Sequence, residues 1–246
     1  AKEKRIDELV ASLIKDYKEG QKTGKGERVD GWRSILPTLA FLNIKANGIT
    51  VVEKEYILSR ITDTLHDSKR VQVVEREVLD KLLEELKLSS SQLADPATAL
   101  RIGRILSAKL ISTGSIVRDG NEWQVSMRMI ETETTLIKAA LTEGLKTKEK
   151  KNVAERLSRE ILKKIRTEYP LKGRILSFEG ERVVLDIGSK EGVTVGLIMD
   201  VLSEGSGKTE KHGEIKIILV EEKRSYANIT SLRKDFREGF KVKERL

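Results

Sequence analysis

The sequence predicts an α/β domain followed by an all-β small barrel, and two features of its 246 residues carry that expectation. Up to Tyr169, stretches whose apolar residues recur every three or four positions alternate with short, nearly apolar or alternating runs, as helices and strands do in turn. Beyond Pro170 the helical period disappears. Six short strands separated by glycine-bearing turns fill fewer than 80 residues, and such strands close into a barrel to dispose of their edges.

Residues 5–18 place Ile6, Leu9, Val10, Leu13, Ile14 and Tyr17 on one stripe, an amphipathic helix whose apolar face needs a partner. Residues 20–31 carry four glycines and no apolar period, which predicts a mobile linker and leaves the helix free to belong with something upstream. After Trp32, the run 35–44 is short and almost continuously apolar, as in a strand buried on both faces. Pro37 makes its start an edge or irregular, and Asn47 with Gly48 ends it in a turn. Thr50 and Glu53 have capping-box spacing ahead of a helix outlined by Val51, Val52, Tyr56, Ile57, Ile61 and Leu65. Residues 70–75 alternate like a strand and feed a leucine-rich helix over residues 76–88. After a polar turn, Asp95 as N-cap and Pro96 at the first helical position start a helix through Leu100, Ile102, Ile105 and Leu106, in which Gly103 marks close packing.

Residues 109–117, 123–131 and 135–143 read as an antiparallel meander, the first two strands joined through Asp119, Gly120 and Asn121. Residues 148–167 form a last helix with Val153, Leu157, Ile161, Leu162 and Ile165 on one side; eight Lys or Arg face four Glu over the span to Glu168. Tyr169 and Pro170 stop it and mark a domain boundary. The barrel strands are expected over residues 171–178, 183–188, 197–202, 213–221, 225–232 and 239–246.

Composition narrows the chemistry. Without cysteine there are no disulfides, thiolate metal sites or cysteine nucleophile, while the redox compartment stays open. His66 and His212, far apart, leave almost no material for a histidine metal centre or a Ser-His-Asp site. The formal charge of +8 mixes 47 basic with 39 acidic residues, a solvated surface first; residues 170–246 hold +2 of it and the longer first part +6. No run of about 18 apolar residues could span a bilayer as a helix, and no signal peptide is recognisable. The start at Ala1 leaves open whether methionine was removed or a signal or lipidation site lies upstream.

The sharper local readings have plain competitors. Residues 205–209 (GSGKT) lack the glycine a P-loop needs at Leu202 and are followed by a strand, so they read as a flexible hairpin tip. His66 is an exposed histidine near a helix end, and His212 sits in a polar loop. Glu131 with Glu133, and Glu221 with Glu222, are carboxylate pairs without a nucleophile or base partner and read as surface charges. Asn228 opens a glycosylation sequon by spelling alone, inside an expected strand. The 148–166 helix is basic, yet Glu149, Glu155 and Glu160 interrupt its stripe and it has no stacking aromatic. No catalytic, cofactor-binding or metal-ligating residue is singled out, no cofactor is expected, and the chain is not expected to be an enzyme.

Residues 70–139 resemble the core of the curli-production and transport lipoprotein (CsgG-like) family. The shared pattern is a strand ending in Val73 to Glu77, a leucine-rich helix with Glu84 and Glu85, then Ala99, Gly103, Leu106, Ala108, Gly114 and Ser115 at the family's spacing, closing on Arg128, Met129, Ile130, Glu131 and Thr134. The likeness spans roughly residues 33–145. Ile35, Leu36, Pro37 and Thr38 resemble its first strand, with the phenylalanine displaced to Phe41; Thr135 stands where the family has a glycine. The resemblance implies a three-layer α/β domain akin to anticodon-binding folds, found in envelope proteins and often lipid-anchored upstream, with no catalytic residues. Pore-forming relatives carry long inserted hairpins. Here the hairpins close tightly and carry Gln124, Ser126, Arg128 and Lys138, so a soluble accessory role is expected in place of a pore. Asp186, Gly188, Gly192, Val193, Gly196 and Val201, continued by Gly213, Ile215, Val220, Ala227 and Ile229, resemble the SH3-like C-terminal domain of flagellar assembly protein T.

The resulting organisation is an amphipathic helix and flexible linker over residues 1–31, a CsgG-like α/β domain over 32–168 and an SH3-like β-barrel over 169–246. The expected function is a non-enzymatic accessory or scaffold protein in assembly or secretion of an envelope structure, in the periplasm or on the periplasmic face of the outer membrane. It would meet envelope or secretion proteins through sheet edges of both domains and the apolar face of the 5–18 helix. Membrane contact would come only through an upstream lipid anchor. The alternative is a nucleic-acid-binding module using the basic surface, and an oligomeric ring is a third reading carried by the resemblance alone.

Overall fold

The computed structural model describes residues 2–23, 32–205 and 208–246, so residues 24–31 of the expected linker and Ser206 and Gly207 of the hairpin tip lie outside the described residues. The chain forms two compact units. One comprises α1 (Lys2–Thr23) with Pro37–Asp67 and Val71–Leu162, and the other residues 32–36, Ser68–Arg70 and Lys163–Leu246.

The first unit follows α1 with β1 (Thr38–Asn47), α2 (Val51–Asp67), β2 (Gln72–Val73), α3 (Arg76–Glu85), α4 (Pro96–Ile105), β3 (Leu110–Asp119), β4 (Glu122–Glu131), β5 (Ile137–Lys146) and most of α5 (Lys150–Glu168). Its sheet has the order β2-β1-β3-β4-β5, with β1 parallel to both neighbours and the β3-β4-β5 meander antiparallel. Parallel neighbours need long crossovers, which α2 supplies between β1 and β2, and α3 with α4 between β2 and β3. Local chemistry sets the helix starts. Thr50 N–H donates to the Glu53 carboxylate at 3.0 Å while Glu53 N–H donates to Thr50 Oγ1 at 3.1 Å, the expected capping box. Asp95 Oδ2 accepts from Thr98 N–H at 2.8 Å, with Pro96 beginning α4. The polar turn before it contains a short 3₁₀ turn, Ser90–Ala94.

Helix α1 continues through Gly20 to Thr23, beyond the residue where the linker was expected to begin. Its stripe does not await an outside partner. Ile6, Val10, Leu13, Ile14 and Tyr17 pack in one core with Val78, Leu82 and Leu83 of α3, Ala99 and Ile102 of α4, and Ala40 and Ile111 of the sheet. The docking role expected for this face is therefore corrected: the leucines of α3 cover it within the same unit, because α3 presents a second apolar stripe away from the sheet. Leu9, expected on that stripe, is instead 46% exposed and lies outside the core that the other five residues share. Gly103 is where α4 meets the sheet; a Cβ there would lie 2.5 Å from Ile111 Cγ2 and 2.8 Å from Thr132 Cγ2.

The second unit closes six strands, β6 (Lys172–Glu179), β7 (Arg182–Leu185), β8 (Ile198–Gly205), β9 (Lys208–Val220), β10 (Ser225–Leu232) and β11 (Lys241–Glu244), in the cyclic order β10-β7-β6-β11-β8-β9. Every pairing is antiparallel, and β9 with β10 completes the ring. Inward positions recur at period two: Val183 and Leu185, Met199 and Val201, Ile215 and Ile217 share the core with Leu171, Ile175, Ala227 and Val242. Gly192 and Gly196, both at φ 91°, take the left-handed conformation that the turns after β7 require. Residues 32–36 pack with this unit: Ser34 N–H donates to Lys172 O at 2.9 Å and Trp32 Nε1–H to Gly173 O at 3.0 Å. The Lys172 and Lys241 ammonium groups lie 5.1 and 4.3 Å from the centre of the Trp32 ring.

Candidate interaction site

Closure removes one expected class of contact surface. A strand can add only where backbone N–H and C=O groups lack a neighbour, and closure of the barrel leaves one-sided only short overhangs such as residues 229–232 of β10 and 203–205 of β8. The expectation of a free edge in both domains is corrected: the barrel keeps no whole edge strand, and the α/β unit does. There, one outer strand is β5. The other side is split: β2 pairs only with Thr38 and Leu39, and Val74 N–H donates to Leu39 O at 2.9 Å, after which the chain turns away into α3. From Phe41 onward β1 has β3 on one side and, among the described residues, no strand on the other.

A cleft of about 530 Å³ opens at that point, between α2 and the first turn of α3. Its apolar surface comes from Ala40 and Phe41 of β1, Leu58 of α2, Val74 and Leu79, and its rim carries Glu55, Asp63, Glu75 and Glu77 with two cations, Lys2 and Arg76. Lys2 pairs with Glu77 at 2.6 Å and Arg76 with Asp80 at 2.9 Å. The Glu77 carboxylate in turn raises the Lys2 pKa above its ordinary value, first through the hydrogen bond. No motif pointed to this cleft in sequence, because its walls come from segments up to 77 residues apart in chain numbering.

The sheet has a second available surface. The register sets Thr113, Arg128 and Ala140 side by side, then Ser115, Ser126 and Thr142, then Val117, Gln124 and Gly144. Gln124, Ser126 and Arg128 alternate as exposed residues with buried Trp123, Val125, Met127 and Met129. This half of the sheet therefore turns a polar face to solvent.

Three polar clusters show what the single residues do. Glu131, expected at the surface, is buried: Lys109 and Lys138 approach it at 3.1 and 3.2 Å, and Thr134 Oγ1–H donates to it at 2.7 Å. Burial pushes its carboxyl up, but Thr134, Lys109 and Lys138 together outweigh that and hold it at about 2. Glu133 pairs with Lys109 at the surface, at 2.8 Å. The alternation of β4 carried the signal, since Glu131 falls on the parity of Val125, Met127 and Met129.

His212 is likewise no loop residue. It lies within β9, 9% exposed, where Val201 opposes Gly213 and Leu202 opposes Lys211, so His212 is the extra residue of a bulge. Nδ1 lies 3.0 Å from Asp235 O, which can only accept, so Nδ1 carries the proton and Nε2 accepts from Ser203 Oγ–H at 2.8 Å. Phe240 meets the ring edge-on at 4.7 Å. The group that orients the ring is a backbone carbonyl, and the Glu210 carboxylate lies 3.9 Å from Nε2 on its other side.

Glu244, its side chain fully buried, accepts from Arg70 Nη2 at 2.8 Å, Arg166 Nε at 2.9 Å and Leu171 N–H at 3.1 Å, all within the second unit. On α5 the cations are partly consumed as well. Lys150 reaches Glu53, Lys151 reaches Glu155, and Arg156 reaches Glu143 and Glu160. Among the described residues no group of three or more His, Asp or Glu has a metal-binding arrangement, and no helix is long and apolar enough to cross a membrane.

Residues 49–122 match the curli production assembly/transport component CsgG. The CsgG match begins just before α2 and ends on the first residue of β4, so it covers the two crossovers of the α/β unit. No curated protein matches the chain. Among solved structures, the chain is similar to the LpoB C-terminal domain from Salmonella enterica (20% identity, covering 49% of this chain and 89% of that one, TM-score 0.39). It is also similar to lipoprotein GNA1162 from Neisseria meningitidis (9% identity, 53% and 96% covered, TM-score 0.41) and to a PelC dodecamer from Paraburkholderia phytofirmans (13% identity, 56% and 94% covered, TM-score 0.38).

Proposed function

We propose that the protein is a non-enzymatic accessory or scaffold protein of a bacterial cell envelope, in the periplasm or on the periplasmic face of the outer membrane, working through protein contacts. The observation that carries this reading is the CsgG match over residues 49–122. It is supported by an α/β unit with an exposed polar sheet face, an open strand edge and an adjacent cleft, which are surfaces suited to protein contact. In this reading the α/β unit is of the anticodon-binding-like kind and the barrel is SH3-like, resembling the flagellar assembly domain. Any membrane attachment comes from a lipid anchor upstream.

Photo-crosslinking residues at Gln124 and Ser126, with Lys223 on the barrel for comparison, test it in cells that express the full-length protein. The expected result is adducts with envelope proteins from the sheet-face positions, in the envelope fraction. Adducts destroyed by nuclease would overturn the reading in favour of nucleic acid, and an absence of envelope adducts at all three positions would overturn it outright.

A further inference from the structure

The proposed function leaves the partner's chemistry unspecified, and the cleft beside β1 narrows it. Strand addition needs an unpaired edge, room beside it and side-chain pockets along it. The edge is present over residues 41–47, a length of about 20 Å at the rise of a strand, and Lys45, Ala46 and Asn47 are all exposed. Room is present in the cleft of about 530 Å³ where β2 ends. Phe41, Leu58 and Val74 offer an apolar surface for alternate side chains of an added strand.

The charges select the occupant. The whole chain carries +8, yet the rim holds four carboxylates against two cations. Those cations are engaged, Lys2 with Glu77 and Arg76 with Asp80, while among the described residues Glu75 and, on α2, Glu55 and Asp63 make no ion pair. A cation entering between α2 and α3 thus meets Glu55 and Asp63, eight residues or just over two helical turns apart and both lining the cleft, in a protein of net positive charge.

We propose that the open edge of β1, at the cleft between α2 and α3, takes an extended basic segment of a partner protein as an added strand, with apolar side chains against Phe41 and Leu58 and cationic ones toward Glu55 and Asp63. The inference rests on the reading of the α/β unit as a protein-contact module.

The test titrates the full chain with a labelled decapeptide of alternating lysine and valine, read by fluorescence anisotropy. Backbone amide exchange maps the contact. Controls are the glutamate–valine peptide and a lysine–valine peptide with central proline. The lysine–valine peptide should bind and protect amides in residues 41–47, and both controls should bind at least about tenfold more weakly. Glu55→Lys with Asp63→Lys, both exposed and so compatible with an unchanged circular dichroism spectrum, should cost about tenfold or more in affinity. No binding, binding indifferent to the reversal, or protection elsewhere would overturn the proposal. Self-association abolished by the double reversal would assign the edge to a second copy and overturn it too. Failure here with envelope adducts at Gln124 or Ser126 sinks the strand-addition site alone, whereas loss of those adducts sinks the functional reading itself.

Discussion

In the turn after β4, Glu131 is buried between two lysines while Glu133, two residues on, is exposed, so neighbouring carboxylates follow opposite rules. A carboxyl lowered from 4.5 to about 2 stabilises the folded state fully above its unfolded value, and that contribution is lost as pH falls from about 4.5 toward 2. Glu131→Gln should therefore cost up to about 3 kcal/mol at pH 7 and progressively less at pH 4 and pH 3, measured by urea unfolding. A pH-independent difference would show that packing and not charge holds the turn. Thr135 completes the same turn at φ 62°, donating its N–H to Glu131 O at 2.8 Å. A β-branched residue pays for this left-handed conformation, while glycine pays a smaller entropic cost, so Thr135→Gly should raise stability by about 0.5–1 kcal/mol and Thr135→Val should not.

Among the elements, α1 changes meaning most between sequence and structure. Its amphipathic period was legible, but a period only says that a face is covered, not by what. Val10 is fully buried against α3 and α4 whereas adjacent Leu9 is 46% exposed. Val10→Asp should cost about 3 kcal/mol or more and Leu9→Asp less than about 0.5 kcal/mol, measured by thermal unfolding. Equal effects would mean that the helix does not belong to this core. The strands behave similarly. All six barrel strands were legible from alternation and glycine turns, and their closure leaves the barrel without a whole edge strand. The open edge of β1 was not legible, since the ten-residue length of β1 and the two-residue length of β2 matter only once the two are paired.

Across the molecule, one buried carboxylate gathers distant parts of the chain. Glu244 binds residues 70, 166 and 171 at once, with Arg70 itself only 8% exposed at its side chain. Glu244→Gln leaves the Arg70 guanidinium buried without its counter-charge and should cost about 3 kcal/mol, seen as faster amide exchange in β6 and β11. Replacing both Arg70 and Glu244 by methionine should recover most of that loss, because the pair repays its own desolvation only in part. If the double variant is as unstable as the single one, the ion pair is a net source of stability. The +8 charge shows the same dependence on arrangement: part of the α5 cations is spent on Glu53, Glu155, Glu143 and Glu160.

The sequence by itself determined the elements, because period, capping and turn chemistry act within a few residues: the Thr50–Glu53 box, the Asp95–Pro96 start and the Asp119–Gly120–Asn121 hairpin stand where local rules put them, and so do the six barrel strands, except that β9 starts at Lys208, five residues before its expected start. Its ordered spacing also carried the CsgG-like resemblance, and residues 49–122 match the model of that family. Tertiary structure alone decided which surfaces remain available. The cover over α1, the closure of the barrel by β11 on β6 and β10 on β7, the burial of Glu131 beside Lys109 and the seating of His212 against Asp235 each depend on a partner about 20 or more residues away in the chain. Desolvation and pairing depend on which atoms surround a group in space, and the order of residues along one segment does not specify those neighbours.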